Sequence, residues 1–318
     1  MMAKKMNHRD LLASLAHDYY LSQLSLADLV EKYDLSRYLV NKYLEDARRE
    51  GVVTINVAAP NPRNLEMETK FQELFDIDNV HIISDSLNPI ETSENVLNYA
   101  AHQITPLITQ SRVVGLTWGS TVYNLIQNLP VSIQEDITFT QFLGENMKYK
   151  SDVGSMRMVE LVASKFSAEY LTMAGPLYVL NDDVREGMKS EIAIKPSFDA
   201  AQHMDFLFTA LGTVASLNSI PVWRENADAI LSGINQEDIA GMVYGRPFDI
   251  DGNFLALDND HVFGLDIDTI MSTPRRFTVV KSKFKTDALI GALRGKFFTD
   301  IVMTEAVARR VLTDIPNK

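Results

Sequence analysis

The chain of 318 residues contains no cysteine. That absence removes disulfides, thiolate zinc sites, iron–sulfur clusters and cysteine nucleophiles together, and it fits a reducing compartment. The six histidines (His8, His17, His81, His102, His203 and His261) show no metal-ligand spacing, so neither a metal site nor a cofactor is expected. No apolar run approaches the ~20 residues that a membrane helix needs. The stretch MMAKKMNHRDLLASL lacks the apolar core and small-residue cleavage site of a secretory leader. A soluble cytoplasmic protein with no membrane association is expected. There is no Gly-x-Ser-x-Gly elbow, Walker-type phosphate loop or Rossmann fingerprint, so the residues argue poorly for an enzyme.

What is present is globular. Hydrophobic residues make up 46% and charged residues 23%, and the length allows about two domains with a sizeable core. The net charge is −12, which by itself argues against nucleic acid. Its distribution matters more. Residues 1–60 hold eight basic and eight acidic residues, so the whole acidic excess lies beyond them. A locally basic module on an acidic body is compatible with DNA, because affinity depends on the charges that face the phosphates.

The first 57 residues read as three helices and a short strand. Leu11, Leu12, Leu15, Ala16 and Tyr19 define one face of a helix over His8–Tyr20. Ser25, with Asp28, opens a second. Asp34-Leu35-Ser36 forms a tight turn, and Ser36 caps a third helix over Arg37–Glu50, whose inner face is Val40, Leu44 and Ala47. Gly51 closes it, and Val52–Val57 alternates like a strand. Three helices with a short turn between the last two describe a helix-turn-helix. Ser36, Arg37, Tyr38, Asn41 and Lys42 lie on the half of the third helix that meets base edges in a major groove. Arg and Asn offer bidentate readout of guanine and adenine, and Arg48 and Arg49 are placed for phosphates. The following strand suits the small wing of a winged helix-turn-helix.

Ala59-Pro60-Asn61-Pro62-Arg63-Asn64 breaks all periodicity. The expected domains are therefore 1–57, a linker at 58–64, and a body at 65–318. In the body, short β-rich runs alternate with helices, which points to an α/β sheet covered by helices. Its sharpest feature is Val113-Val114-Gly115-Leu116-Thr117-Trp118-Gly119-Ser120-Thr121, an apolar strand running into Gly-Ser-Thr at a helix start. Backbone N–H groups with two hydroxyls can cradle a phosphate there; a plain capped turn fits the same residues. Gly144-Glu145 and Ala210-Leu211-Gly212-Thr213 are two further strand exits. Three such exits could line one pocket at the carboxyl ends of the strands. Asp249-Ile250-Asp251-Gly252 reads as a β-turn rather than a calcium loop, because Phe254 stands where such a loop needs glycine.

Together these residues resemble the SorC family of sugar-responsive bacterial transcriptional regulators, over nearly the whole chain. The resemblance rests on Leu26-Ala27-Asp28-Leu29 through Leu35-Ser36-Arg37 to Gly51-Val52-Val53, and on Trp118-Gly119-Ser120-Thr121. It also rests on Asp238-Ile239-Ala240-Gly241, Lys285-Thr286-Asp287-Ala288-Leu289 and Ala292-Leu293-Arg294-Gly295. It implies a body similar in fold to sugar-phosphate isomerases and CoA-transferases, which senses a phosphorylated sugar or related metabolite. It further implies a homodimer or homotetramer on double-stranded operator DNA. The implied effector site is Gly119, Ser120 and Thr121 for the phosphate, Asp238 as pocket acid and Lys285 as pocket base. Lys281-Ser282 stands where the family usually has Gly-Gly. The competing function is a sugar-phosphate isomerase or deaminase, for which the Arg37–Arg49 helix would have no use.

Overall fold

The computed structural model describes residues 7–53, 63–146 and 155–315. Two compact units divide the chain at Pro60/Asn61.

The first unit is a three-helix cluster: α1 (His8–Tyr20), α2 (Leu26–Tyr33) and α3 (Arg37–Arg49). Each start is capped by a side chain that accepts an otherwise orphaned N–H. Asn7 caps α1, Ser25 and Asp28 form a reciprocal capping box on α2, and Ser36 accepts from Leu39 N at 3.3 Å. Asp34 takes a left-handed conformation (φ 53°) that ends α2 and turns the chain toward α3. Leu12, Leu15, Leu29, Val40 and Ala47 pack together beneath the helices. Tyr33 donates to the Asp18 carboxylate at 2.7 Å, and Lys32 pairs with the same group. Gly51 follows α3 with φ 69°. Of the strand expected over Val52–Val57, Val52 and Val53 form bends, and the remainder lies outside the described residues; so does most of the expected linker.

The second unit is built on a seven-stranded parallel sheet. Its strands are β1 (Asn79–Ile83), β2 (Val113–Leu116), β3 (Thr138–Gln141), β4 (Glu169–Leu171), β5 (Phe206–Phe208), β8 (Arg275–Val280) and β9 (Asp300–Thr304). A separate two-stranded hairpin joins β6 (Gly241–Val243) to β7 (Arg246–Phe248). The sheet order is β1-β9-β8-β5-β2-β3-β4. Parallel strands need covered faces, and their side chains alternate between two cores. Phe206, Phe208, Phe277, Val279 and Val302 join one core, with α5 (Pro89–Thr109), α6 (Ser120–Asn128) and α7 (Ser155–Phe166) over it. Leu207, Val280, Ile301 and Met303 point into the other, with α4 (Leu65–Phe75) and the two C-terminal helices, Thr286–Arg294 and Glu305–Asp314.

The β-rich run Gly241–Phe248 is not one strand but the β6–β7 hairpin. Tyr244 and Gly245 both have positive φ, 54° and 76°, which is the backbone a two-residue hairpin turn requires. The continuous apolar run Met242-Val243-Tyr244 leads straight into the turn and hides that break in the sequence. Among the described residues, no helix is long and apolar enough to cross a membrane.

Candidate functional site

The sheet order fixes where a site can form. From β2 the chain moves outward through β3 to β4, then returns to the other side of β2 as β5 and continues toward β8 and β9. The loops after β2 and β5 therefore part in opposite directions. A crevice opens between them at the carboxyl ends of the strands. A cavity of about 430 Å³ occupies that place, within the size range of small-molecule sites.

The exits of β2, β3 and β5 each contribute. After β2 come Thr117, Trp118, Gly119, Ser120 and Thr121; after β3, Leu143 and Asn146; after β5, Thr209 to Gly212. The hydroxyls of Thr117 and Thr209 bond to each other, tying the two central exits together. Gly119 precedes α6 at φ 139°, and a Cβ there would meet the Ala210 Cβ at 3.0 Å. Glycine is required on both counts. No side chain caps α6, and its first residues, Ser120 and Thr121, line the cavity with Gly119, so the start of the helix and the positive end of its dipole border that space.

Lys285 stands in a 3-10 turn after β8 and lines the same cavity. Its ammonium donates to Leu211 O. Burial, with the nearby Lys281 charge, lowers its pKa from the ordinary lysine value. It is the only charged side chain among the described lining residues. Lys281 itself donates to Ser93 Oγ at 2.8 Å, at the start of α5, and burial lowers its pKa too.

The structure does not bring Asp238 to this cavity. It ends an exposed 3-10 turn, Gln236–Asp238, started by the Asn235 side chain. The chain then enters β6, and the cavity is reached by Met242 and Val243 instead. Of the expected effector residues, Gly119, Ser120, Thr121 and Lys285 line one cavity, and Asp238 is not among its lining residues.

The wall also contains residues that the sequence reasoning missed. Val214–Asn218, Pro221–Glu225 and Ala227–Ile230 are short helices between β5 and β6; the first two and the link between them supply Ser216, Ser219, Ile220 and Trp223. Trp223 packs edge-on against Trp118 (centroids 6.4 Å apart) and Tyr178 (5.1 Å). These two tryptophans are the only ones in the chain, and that scarcity was the available signal.

In the first unit, the outer face of α3 is exposed at Arg37, Tyr38, Asn41, Lys42, Arg48 and Arg49, with Ser36 exposed at its cap. Arg49 bonds the buried Asp46 carboxylate, so part of its charge is used within the helix. Tyr38 is 73% exposed, high for an aromatic ring.

Comparison with known proteins places this geometry. The full-length sorbitol operon regulator SorC from Klebsiella pneumoniae superimposes with a TM-score of 0.80 at 19% identity, covering 97% of this chain and all of that one. The Deoxyribonucleoside regulator of Bacillus subtilis (strain 168) is 22% identical over 302 residues, spanning 93% of this chain and 95% of that protein. The transcriptional regulator LsrR of Enterobacter sp. (strain 638) is 23% identical over 317 residues, spanning 96% and 94%. Residues 60–313 match the family described as "Putative sugar-binding domain". The chain belongs to that family, as a SorC-type sugar-binding transcriptional regulator. The SorC-type body accounts for the parallel sheet and its switch-point cavity, and the chain spans nearly the full length of the regulators it matches.

Proposed function

We propose that this SorC-type regulator binds operator DNA through α3 and that a phosphorylated sugar or related small metabolite in the switch-point cavity modulates that binding. The observation that carries the reading is the convergence of the open α6 start, at Gly119, Ser120 and Thr121, with the Lys285 ammonium on one cavity. An anion satisfies the orphaned N–H groups, favours the helix dipole and compensates the buried cation. The proposed division is a DNA-binding domain at 1–57, a linker at 58–64 and an effector and oligomerisation domain at 65–318.

Arg37 and Asn41 are assigned to base edges. Ser36, Tyr38, Lys42 and Arg49 are assigned to the surrounding backbone, as expected for a helix entering the groove by its first half. A single helix-turn-helix reads few bases, so a homodimer or homotetramer on paired half-sites fits best. A cytoplasmic location follows from the DNA partner.

An isomerase or deaminase needs a group that moves protons at the substrate. The titratable side chains on the described wall are Lys285, Tyr178 and Tyr244. Burial raises the pKa of both tyrosines, and both hydroxyls donate to backbone carbonyls. That leaves one lysine, which supports a sensor over a catalyst.

The test is a thermal-shift screen of phosphorylated metabolites. A ligand at 100 times its dissociation constant stabilises by about 2.7 kcal/mol. The absence of any shift across the screen would count against the cavity as a phosphate-binding sensor.

A further inference from the structure

Most polar groups around the cavity are already committed to the protein. Tyr178 donates to Gly245 O at 2.8 Å and Tyr244 to Phe297 O at 2.7 Å. Thr117 and Thr209 bond each other. Ser219 Oγ donates to Ser216 O at 2.7 Å, and Ser216 Oγ accepts from Thr213 N at 3.2 Å. Asn146 is buried and engaged as well. Lys285 spends one N–H on Leu211 O. The charged and strongest donors left for a ligand are therefore at the α6 start and the Lys285 ammonium, beside only the spare O–H of Ser216 and one O–H of the Thr117–Thr209 pair.

The rest of the described wall is apolar. Leu143, Leu177, Leu217 and Ile220 face the space beside Trp118 and Trp223. No carboxylate stands among the described lining residues. Carboxylates accept strong hydrogen bonds from neighbouring sugar hydroxyls, and Asp238 lies outside the cavity. A hexose phosphate would bury several hydroxyls against such a wall. Each one left without a partner costs about tenfold in affinity. A body that presents carbon or a ring face meets aromatic edges and aliphatic side chains without that loss.

Building on the phosphate-anion reading above, we propose that the cavity selects a phosphate ester whose carbon body is poor in hydroxyls, deoxygenated or aromatic rather than a polyol. The phosphate lies on Gly119–Thr121 and Lys285, and the body lies along Trp118, Ile220 and Trp223. The specificity-determining residues are then those of the short helices between β5 and β6, above all Ile220 and Trp223.

The two tryptophans make the experiment direct. The full-length chain is titrated with phenyl phosphate, glucose 6-phosphate and inorganic phosphate, following intrinsic fluorescence and confirming by calorimetry. The expected result is phenyl phosphate binding at least tenfold more tightly than glucose 6-phosphate. In Trp223→Ala, phenyl phosphate weakens severalfold more than inorganic phosphate does. The comparison on the unaltered chain stands even if that variant folds poorly. Glucose 6-phosphate binding as tightly as phenyl phosphate, or more tightly, would overturn this inference and leave the phosphate reading intact. Binding of none of the three would overturn both.

Discussion

Replacing Lys285 with methionine separates ligand recognition from fold. Methionine keeps the length and apolar stem of lysine and removes its charge. In the unliganded protein two changes oppose each other. Leu211 O loses its hydrogen-bond partner, which costs about 1 kcal/mol. The variant also no longer carries a buried ammonium. Because the pKa of Lys285 is lowered in the folded state, its protonated form is disfavoured there relative to the unfolded chain. Below the folded pKa that penalty is fully present, and it fades as pH rises toward the unfolded value. Removing it at neutral pH therefore stabilises. The net change in unliganded stability should stay within about 1 kcal/mol. Binding of a phosphate group should suffer much more, because charge-assisted hydrogen bonds contribute about 1.5–3 kcal/mol each. Affinity should fall roughly 10- to 100-fold. Chemical denaturation measures the first quantity, and titration with inorganic phosphate or a phosphate ester measures the second. Equal phosphate affinity in both proteins would remove Lys285 from the site and refute the reasoning.

Further outcomes follow from other parts of the molecule. Arg37→Ala should cost about 1–3 kcal/mol of sequence-specific DNA affinity, whereas Arg48→Ala should weaken all duplexes alike and flatten the salt dependence; fluorescence anisotropy at several salt concentrations checks both. Arg48 is the cleaner choice for that comparison, since Arg49→Ala would also strand the buried Asp46. Asp260→Ala leaves the buried Arg246, which braces the hairpin through Tyr244 O and Leu265 O, without its anion. Removing one partner of such a pair costs about 3 kcal/mol, to be read from denaturant midpoints. The affinity for a phosphate ester should rise as pH passes the second phosphate ionisation near ~6. It should fall again on the alkaline side at a pH below the ordinary lysine range, because burial lowers the pKa of Lys285; calorimetry across pH gives the profile.

Local signals in the sequence carried the elements whose ends are set by local chemistry. Asn7, Ser25 and Ser36 each accept a backbone N–H at a helix start, and α1 spans His8–Tyr20 as its apolar period requires. The strand running from Val113 into Gly119-Ser120-Thr121 emerged for the same reason, as β2 (Val113–Leu116) followed by the α6 start. Two of the three glycine-bearing strand exits supply cavity residues directly, and the third does so through the flanking Leu143 and Asn146. What stayed hidden depends on tertiary packing. The helices between Thr213 and Leu231 are four or five residues long, too short to show a period. They are held by Leu217, Ile220 and Trp223 against the core. Their place over the cavity follows from the sheet order, which no local pattern encodes. Asp238 lies at the end of the Gln236–Asp238 turn, and whether such a turn reaches the cavity is set by tertiary packing that no local motif encodes.

The most direct measurement is DNA affinity with and without ligand on one preparation. Duplexes are selected from a random-sequence library with the full-length chain, and the enriched duplex is titrated in the presence and absence of a phosphate ester that shifts the melting temperature. The expected result is an enriched sequence of paired half-sites whose affinity changes severalfold with the ester. That change should be lost in Lys285→Met, and the sequence-specific binding itself should weaken by about 1–3 kcal/mol in Arg37→Ala. No enriched sequence, or one whose affinity is indifferent to every ester that binds the cavity, would contradict a regulator controlled through this site.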